Sequence, residues 1–291
     1  MLPLGGRNPL TATNAYVITG TKHVLVDPGP EGAAGELLEQ LSRHRISLSD
    51  IGLIVITHGH PDHFGCAAQL KEWTQAPVAV HELDAEYVHW GSVPGVKPVT
   101  RLGGLFKSFF KTKCPAVEPD ILLREDDKLG RYAGRGKVIL TPGHTAGSIS
   151  IILPDGNCIV GDLLMRGLRA RTPSSPWFAE DVTEAKESLQ KVVSAGARTL
   201  LVGHGGPFKV SELPRKFPWL ELQSESAGPA LEEREEKPGR SRFQSESGGP
   251  APEESEEKPR RSRPRRRRPP RREGQPGTQQ NGGSPGAGPT Q

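Results

Sequence analysis

Four side chains that commonly bind metal ions lie within one six-residue stretch, His58-Gly-His60-Pro-Asp62-His63. The chain of 291 residues holds only nine histidines, so chance is a poor explanation for three of them in this stretch. Imidazole nitrogen and carboxylate oxygen are ligands that Zn²⁺ and other first-row divalent metals accept. The stretch follows the apolar run 53–57, which is typical of a buried strand. Because a loop at a strand end can turn several side chains inward, we predict a metal-binding loop here.

Three more residues of ligand type stand at the ends of other predicted strands, each beside a glycine. They are His144 after the strand 137–141, Asp162 at the end of the strand 158–162, and His204 after the strand 199–203. A single histidine at a strand end is more often a hydrogen-bonded structural residue than a ligand. Together with the six-residue stretch, however, the three complete a set of seven ligands, which is enough to hold two metal ions.

An alternating series of strands and helices must position these residues. Aliphatic and β-branched runs predict strands at 14–19, 23–27, 53–57, 78–80, 137–141, 148–153, 158–162 and 199–203. Apolar residues at helical spacing predict helices at 31–43, 64–73, 83–90 and 183–194. The segment 91–119 shows neither pattern and is predicted to be irregular. This order indicates an α/β layered domain.

The order of the seven residues along the chain resembles that of the metallo-β-lactamase superfamily, over roughly residues 10–210. The resemblance implies a four-layer αββα sandwich with metals at one edge, between two facing sheets. It implies that Asp162 bridges two metal ions, and that Asp27 is a structural residue near the metals rather than a ligand. The other implied ligands are His58, His60 and His144 on the first ion, and Asp62, His63 and His204 on the second.

A metal-dependent hydrolase is the activity that this resemblance implies. Two divalent ions would be the cofactors, with zinc expected first and iron or manganese as the other choices. A hydroxide held between two divalent cations stays deprotonated near neutral pH, so it can attack a carbonyl or phosphoryl centre. Asp62 is assigned a catalytic role, because it can orient this hydroxide as well as bind metal.

The motifs look most like those of glyoxalase II and its relatives, which hydrolyse thioesters. His60 stands where the diiron flavoprotein branch has glutamate, and Asp162 stands where true zinc β-lactamases have cysteine. A thioester or related acyl ester is therefore the expected substrate, although the helical domain with which glyoxalase II grips glutathione has no counterpart here. The alternatives are a persulfide dioxygenase with a single iron, a phosphodiesterase or nuclease, and a binding scaffold without catalysis.

The composition divides the chain into a hydrolase domain at residues 1–222 and a tail at residues 223–291. The tail is almost entirely Glu, Arg, Pro, Gly, Ser and Gln, so it cannot bury enough apolar surface to fold, and we predict disorder. It contains a duplicated 21-residue segment that starts at Gln223 and again at Gln244. The run Arg260–Arg272 holds nine arginines and could contact nucleic acid or other polyanions, although a solvated tail is the simpler interpretation.

Several kinds of protein are excluded or disfavoured by the rest of the sequence. No apolar run is long enough to cross a membrane, and the first residues lack the pattern of a secretory signal. The three cysteines have no CxxC spacing, which favours the cytoplasm. We expect a small-molecule substrate of anionic character if the apolar segment 105–110 and its flanking lysines form the rim of the site. That segment could equally be a helix with solvated lysines.

Overall fold

Two β-sheets face each other, and helices cover the outer surface of each sheet. The computed structural model describes residues 1–5, 12–93, 95–132, 135–167 and 172–222, all of which belong to the unit Met1–Arg234. This architecture is the four-layer αββα sandwich that the sequence predicts. Residues 223–291, for which the sequence predicts disorder and contacts with polyanions, lie outside the described residues.

The first sheet has six strands in the order β1-β2-β3-β4-β5-β6. The first three strands pair antiparallel, whereas β3, β4, β5 and β6 run parallel to one another. Because parallel strands end at the same edge of a sheet, the loops that follow β3, β4 and β5 lie side by side. The strands are β1 (Leu2–Leu4), β2 (Thr13–Ile18), β3 (His23–Val26), β4 (Ile51–Val55), β5 (Val78–His81) and β6 (Ile121–Leu123).

The second sheet has five strands in the order β13-β12-β9-β8-β7. Strands β9 and β12 are parallel, so their ends also share one edge, and the other pairs are antiparallel. A separate two-stranded ribbon follows β9. The strands are β7 (Lys137–Leu140), β8 (Ile149–Ile152), β9 (Asn157–Gly161), β10 (Met165–Arg166) and β11 (Pro173–Ser174) of the ribbon, β12 (Thr199–Val202) and β13 (Phe208–Lys209).

Six α-helices connect these strands in the described part of the chain. The structure differs from the sequence prediction in two of the predicted regions, and it also contains strands that were not predicted, namely β1, β6, β10, β11 and β13. The predicted helix 64–73 is two helices, because the chain turns at residues 65 and 66, and the segment 91–119 contains a helix where irregular structure was expected. The helices are α1 (Ala34–Arg43), α2 (Pro61–Phe64), α3 (Ala67–Thr74), α4 (Ala85–Trp90), α5 (Arg101–Phe106) and α6 (Val182–Ser194). Short 3-10 turns span Leu48–Asp50, Glu82–Asp84, Lys107–Phe109, Leu129–Arg131 and Val210–Arg215.

Three apolar cores hold the four layers together. Alternate residues of the first sheet, such as Ile54, pack with Leu37 of α1 and Leu70 of α3, whereas their neighbours face the second sheet. Leu53 belongs to the core between the sheets, and a third core packs α6 on the outer face of the second sheet. Strands that are buried on both faces appear in the sequence as continuous apolar runs, which explains why the sequence located them.

Among the described residues, no helix has the length and apolar character needed to cross a membrane.

Candidate metal centre

The histidine-rich loop leaves the end of β4 and turns directly into α2. His60 has extended backbone and precedes the helix, and Pro61 occupies its first turn, where its missing N–H costs nothing. Gly59 is required by packing, because a Cβ atom there would lie 2.7 Å from Cβ of Tyr87. The loop therefore bends sharply beneath α4 and turns its side chains inward, where His58 and His63 are almost completely buried.

Three imidazoles meet at one point of this edge. His144 Nε2 lies 3.1 Å from His58 Nε2 and 2.9 Å from His60 Nδ1. Three nitrogens bound to one tetrahedral zinc at the usual bond lengths would be about 3.3 Å apart. The three nitrogens are thus close to the spacing that a shared ion requires, and the ligand atoms of all three residues lie within 4.8 Å of one another.

A second group contains two carboxylates and two imidazoles. His204 Nε2 lies 3.2 Å from Asp62 Oδ2 and 3.3 Å from Asp162 Oδ2, and His63 Nε2 lies 3.4 Å from Asp162 Oδ1. Asp162 also reaches the first group, since its Oδ2 atom is 3.7 Å from His144 Nε2. The structure therefore brings all seven sequence-predicted residues together, with Asp162 between the two groups.

Asp27 orients two of these histidines without belonging to either group. Its carboxylate accepts hydrogen bonds from the backbone N–H and the hydroxyl of Thr57, both at 2.7 Å, and from His63 Nδ1 at 2.9 Å. Because the Thr57 hydroxyl donates to Asp27, its oxygen is free to accept from His58 Nδ1 at 3.0 Å. Nδ1 of each ring is then the nitrogen that donates to its neighbour, and Nε2 is the nitrogen that faces the site.

Backbone carbonyls fix two further rings in the same way. His144 Nδ1 donates to Phe178 O at 2.8 Å, and His204 Nδ1 donates to Ala12 O at 2.9 Å. His60 differs, because its Nδ1 atom is the one that faces the cluster. Nδ1 protons are thereby held outward at four of the five histidines, which leaves their Nε2 atoms available for a cation.

Electrostatics divides the histidines into two kinds. Burial lowers the pKa of His58 and His144, and it lowers the pKa of His60 to about 3, so these three rings are neutral. Burial alone would also lower the pKa of His63 and His204, but the neighbouring carboxylates outweigh it: the pKa of His63 rises to about 10 and that of His204 rises well above its usual range. Positive charge therefore stabilises the second group, and either protons or a metal ion can supply it.

Three buried polar atoms of the second group make no hydrogen bond of normal geometry among the described residues, although two of them, His63 Nε2 and Asp162 Oδ1, lie 3.4 Å apart. They are Asp62 Oδ1, His63 Nε2 and Asp162 Oδ1. An unpaired buried polar atom is costly, and such atoms are rare in folded proteins. The three atoms are two carboxylate oxygens and one imidazole nitrogen, and divalent cations bind such a set of atoms. The residues present therefore fit a metal site.

Asp84 joins the two loops that carry the three-imidazole group, and the sequence analysis missed it. Its side chain is fully buried and accepts hydrogen bonds from Gly59 N at 2.7 Å, Thr145 Oγ1 at 2.7 Å and Gly147 N at 2.8 Å. Burial raises the pKa of Asp84. The only available signal was its place just after β5, at the same sheet edge as the loop that contains Gly59.

Two residues of strand β2 hold the loop that carries His204, and the sequence did not reveal these contacts. Asn14 Nδ2 donates to the carbonyls of Val202 and Gly205, each at 2.8 Å, and Tyr16 Oη donates to Val202 O at 2.7 Å. These bonds cross from the first sheet to the end of β12, beside His204. They fix the loop that carries this histidine against the opposite sheet.

Other residues that the sequence drew attention to lie elsewhere. His81 Nδ1 accepts a hydrogen bond from a backbone N–H of the turn that follows β5, and His89 pairs with Glu118 on the surface. Cys66 is buried at the start of α3, and its thiol donates to a backbone carbonyl. Lys111 is exposed, with Glu31 3.9 Å away, as expected for a solvated lysine.

Comparisons with known proteins agree with this geometry. The family model described as the metallo-beta-lactamase superfamily matches residues 8–204. The probable metallo-hydrolase MJ0888 of Methanocaldococcus jannaschii is 33% identical over 154 residues, which are 53% of this chain and 68% of that protein. The metallo-beta-lactamase family protein TTHA1429 of Thermus thermophilus is similar in structure, with a TM-score of 0.54 and 27% identity over 72% of this chain and 73% of that one.

A second solved structure shares almost its full length with this chain. It is TTHA1623 in a di-iron-bound form, with a TM-score of 0.54 and 27% identity, and the match covers 75% of this chain and 99% of that one. The family model spans more than half of the present sequence and ends at His204, the last residue of the cluster. The chain therefore belongs to the metallo-beta-lactamase superfamily.

Proposed function

We propose that this protein is a metal-dependent hydrolase that binds two divalent ions at the seven-residue cluster and acts on a thioester or a related acyl ester. The observation that carries the proposal is the position of Asp162, whose two carboxylate oxygens reach residues of both groups. His58, His60 and His144 would hold the first ion, and Asp62, His63 and His204 the second. Zinc is the expected metal, although the di-iron-bound form of TTHA1623 makes iron a serious candidate.

When bound, such ions supply Lewis acidity and a hydroxide nucleophile near neutral pH. The chain's own residues supply position and access. Asp62 has the most exposed side chain of the seven, at 32%, and His204 follows at 12%, so we expect substrate to approach the cluster from this side. The Asp62 carboxylate would accept a hydrogen bond from the nucleophile and so orient it. Asp27 and the carbonyls of Phe178 and Ala12 would keep the rings fixed during turnover.

Metal analysis is the first test of this proposal. The full-length protein, expressed with zinc, iron and manganese supplied, should retain about two equivalents of metal after dialysis. His204→Gln should lose at least one equivalent, whereas the matched variant His89→Gln, which changes a surface histidine outside the cluster, should lose none. Retention of less than about half an equivalent by the wild-type protein would contradict the proposal.

A substrate panel separates the proposed reaction from its alternatives. Thioesters, lactones, phosphodiesters, β-lactams and a persulfide should be tested with oxygen uptake monitored. We expect thioester hydrolysis without oxygen consumption. Oxygen uptake with the persulfide would instead favour the dioxygenase, and hydrolysis confined to phosphodiesters would favour the nuclease class.

A further inference from the structure

A surface loop leaves the domain after α4 and returns to the same place. Val93 N donates to Thr112 O at 3.0 Å, and Cys114 N donates to Gly91 O at 2.9 Å, so the outgoing and returning chains are paired. We call residues 95–111, which lie beyond this paired neck, the excursion loop. Compact surface loops whose ends meet in this way are frequently functional.

The excursion loop packs closely on the segment that follows β11. Val99 N donates to Trp177 O at 2.9 Å, and Ala179 N donates to Lys97 O at 3.1 Å. Helix α5 approaches so closely that a Cβ atom on Gly103 would lie 2.3 Å from Trp177 O. Backbone bonds and a close helix contact therefore fix the loop in place.

The end of the excursion loop returns to the metal centre and places an aromatic ring on it. The Phe110 ring lies 5.0 Å from the His60 ring, with the planes at 76°, and 5.4 Å from the Phe178 ring. Phe178 is also the residue whose carbonyl orients His144. We call Phe110 and Phe178 the aromatic wall. Both residues are only half-buried, so part of each remains accessible beside the three-imidazole group.

The two sides of the site therefore differ in chemistry. On the side of Asp62 and His204 the cluster is charged and partly exposed, whereas the aromatic wall makes the side of His60 apolar. A stacked pair, Phe106 and Trp177, with ring centres 5.5 Å apart, joins the same two segments that carry the wall. A substrate that spans the site meets polar groups at one end and rings at the other.

We propose that the substrate carries an aromatic or bulky apolar acyl group that packs on Phe110 and Phe178, with its reacting carbonyl at the seven-residue cluster. This inference rests on the proposed function, because the wall selects an acyl group only if acyl transfer occurs there. Ring pairs at these separations attract one another beyond the burial of their area. Apolar pockets commonly discriminate between acyl groups by about 10-fold or more.

Two thioesters with the same thiol, one acetyl and one phenylacetyl, test the inference on the full-length, metal-loaded protein. The phenylacetyl thioester should have a kcat/KM at least about tenfold higher than the acetyl thioester. Phe110→Ala should lower this ratio about tenfold, and Phe110→Leu should restore part of it. Leu105→Ala is the matched control, because Leu105 is 69% exposed in the same loop, and it should leave the ratio unchanged.

Calorimetric binding of the products gives a readout that does not depend on turnover. Phenylacetate should bind the metal-loaded protein at least about tenfold more tightly than acetate, and Phe110→Ala should remove the difference. Equal kcat/KM for the two thioesters, or a ratio that Phe110→Ala does not change, would overturn the inference. If neither thioester is hydrolysed, the proposed function fails, and the binding measurement then decides alone whether the wall recognises an aryl group.

Discussion

Replacing Asp84 by alanine should destabilise the fold strongly, although no predicted metal ligand is changed. The carboxylate is fully buried and accepts hydrogen bonds from Gly59 N, Gly147 N and the Thr145 hydroxyl. Alanine leaves the buried N–H groups of Gly59 and Gly147 without their acceptor. The two loops that present the three-imidazole group also lose their common attachment.

The magnitude follows from how many donors stay unpaired. A buried donor without an acceptor costs about 1–3 kcal/mol, and this cost applies to the N–H groups of Gly59 and Gly147. The Thr145 hydroxyl can still pair with the Ser148 hydroxyl at 2.7 Å, so its loss is smaller. Removal of a buried charge offsets part of the cost, since burial raises the pKa of Asp84. A net loss of about 2–4 kcal/mol in the free energy of unfolding is expected.

Urea unfolding of the full-length protein in the presence of a chelator measures this loss, because metal binding would otherwise add its own stabilisation. The matched control is Asp181→Ala. Asp181 caps α6 and accepts hydrogen bonds from two backbone N–H groups, at 2.7 and 3.1 Å, but it does so in contact with water. Asp181→Ala should lower the free energy of unfolding by clearly less than Asp84→Ala does, since water can replace the missing acceptor.

A graded variant makes the reasoning easier to refute. Asp84→Asn keeps one acceptor oxygen for Gly147 and turns an amide group toward Gly59, so its stability should lie between the wild type and Asp84→Ala. If Asp84→Ala lowers the free energy of unfolding by less than about 1 kcal/mol, or by no more than Asp181→Ala does, the three hydrogen bonds do not hold the loops together.

Four further outcomes are expected. Gly147→Ala should lower the urea midpoint, because its Cβ atom would lie 2.5 Å from Asp84 Oδ1; an unchanged midpoint would argue against this contact. Asp162→Ala should reduce bound metal from about two equivalents to one or fewer by elemental analysis, and retention of both would show that Asp162 is not shared. Two backbone N–H groups hold the pKa of Asp181 below its usual value, so its stabilising effect exists above about pH 4 and disappears as the pH falls through the folded pKa. The stability difference between Asp181→Ala and the wild type should therefore narrow between about pH 6 and about pH 3 rather than stay constant. Deletion of residues 223–291 should leave turnover of a small thioester unchanged, and a loss would place essential residues in the tail.

The parts of the structure that the sequence predicted are those governed by local patterns. The run 53–57 was recognisable as a strand because both of its faces are buried, so no charged residue interrupts it. The ends of two such runs also located candidate ligands, because Asp162 directly follows β9 and His58 lies three residues after β4. Short-range order along the chain was therefore enough to propose which residues meet.

The parts that the sequence missed depend on contacts between distant segments. Asp84 looks like an ordinary turn residue until the loop around Gly147, 63 residues later, folds against it. Phe110 is one of several aromatic residues in an apolar segment, and its contact with His60 exists only because the excursion loop closes on its neck. Strand β6 was missed for a simpler reason: it is a three-residue edge strand whose central Leu122 is half exposed, so it lacks the pattern of a buried strand.

The paired neck of the excursion loop has a consequence for how such a protein can diversify. Since the chain enters and leaves the loop at one point, insertions or deletions between residues 95 and 111 need not shift either sheet. Related proteins could thus exchange the segment that places Phe110 beside His60 while both sheets keep their positions. A combinatorial library confined to this loop is accordingly the direct laboratory route to new selectivity.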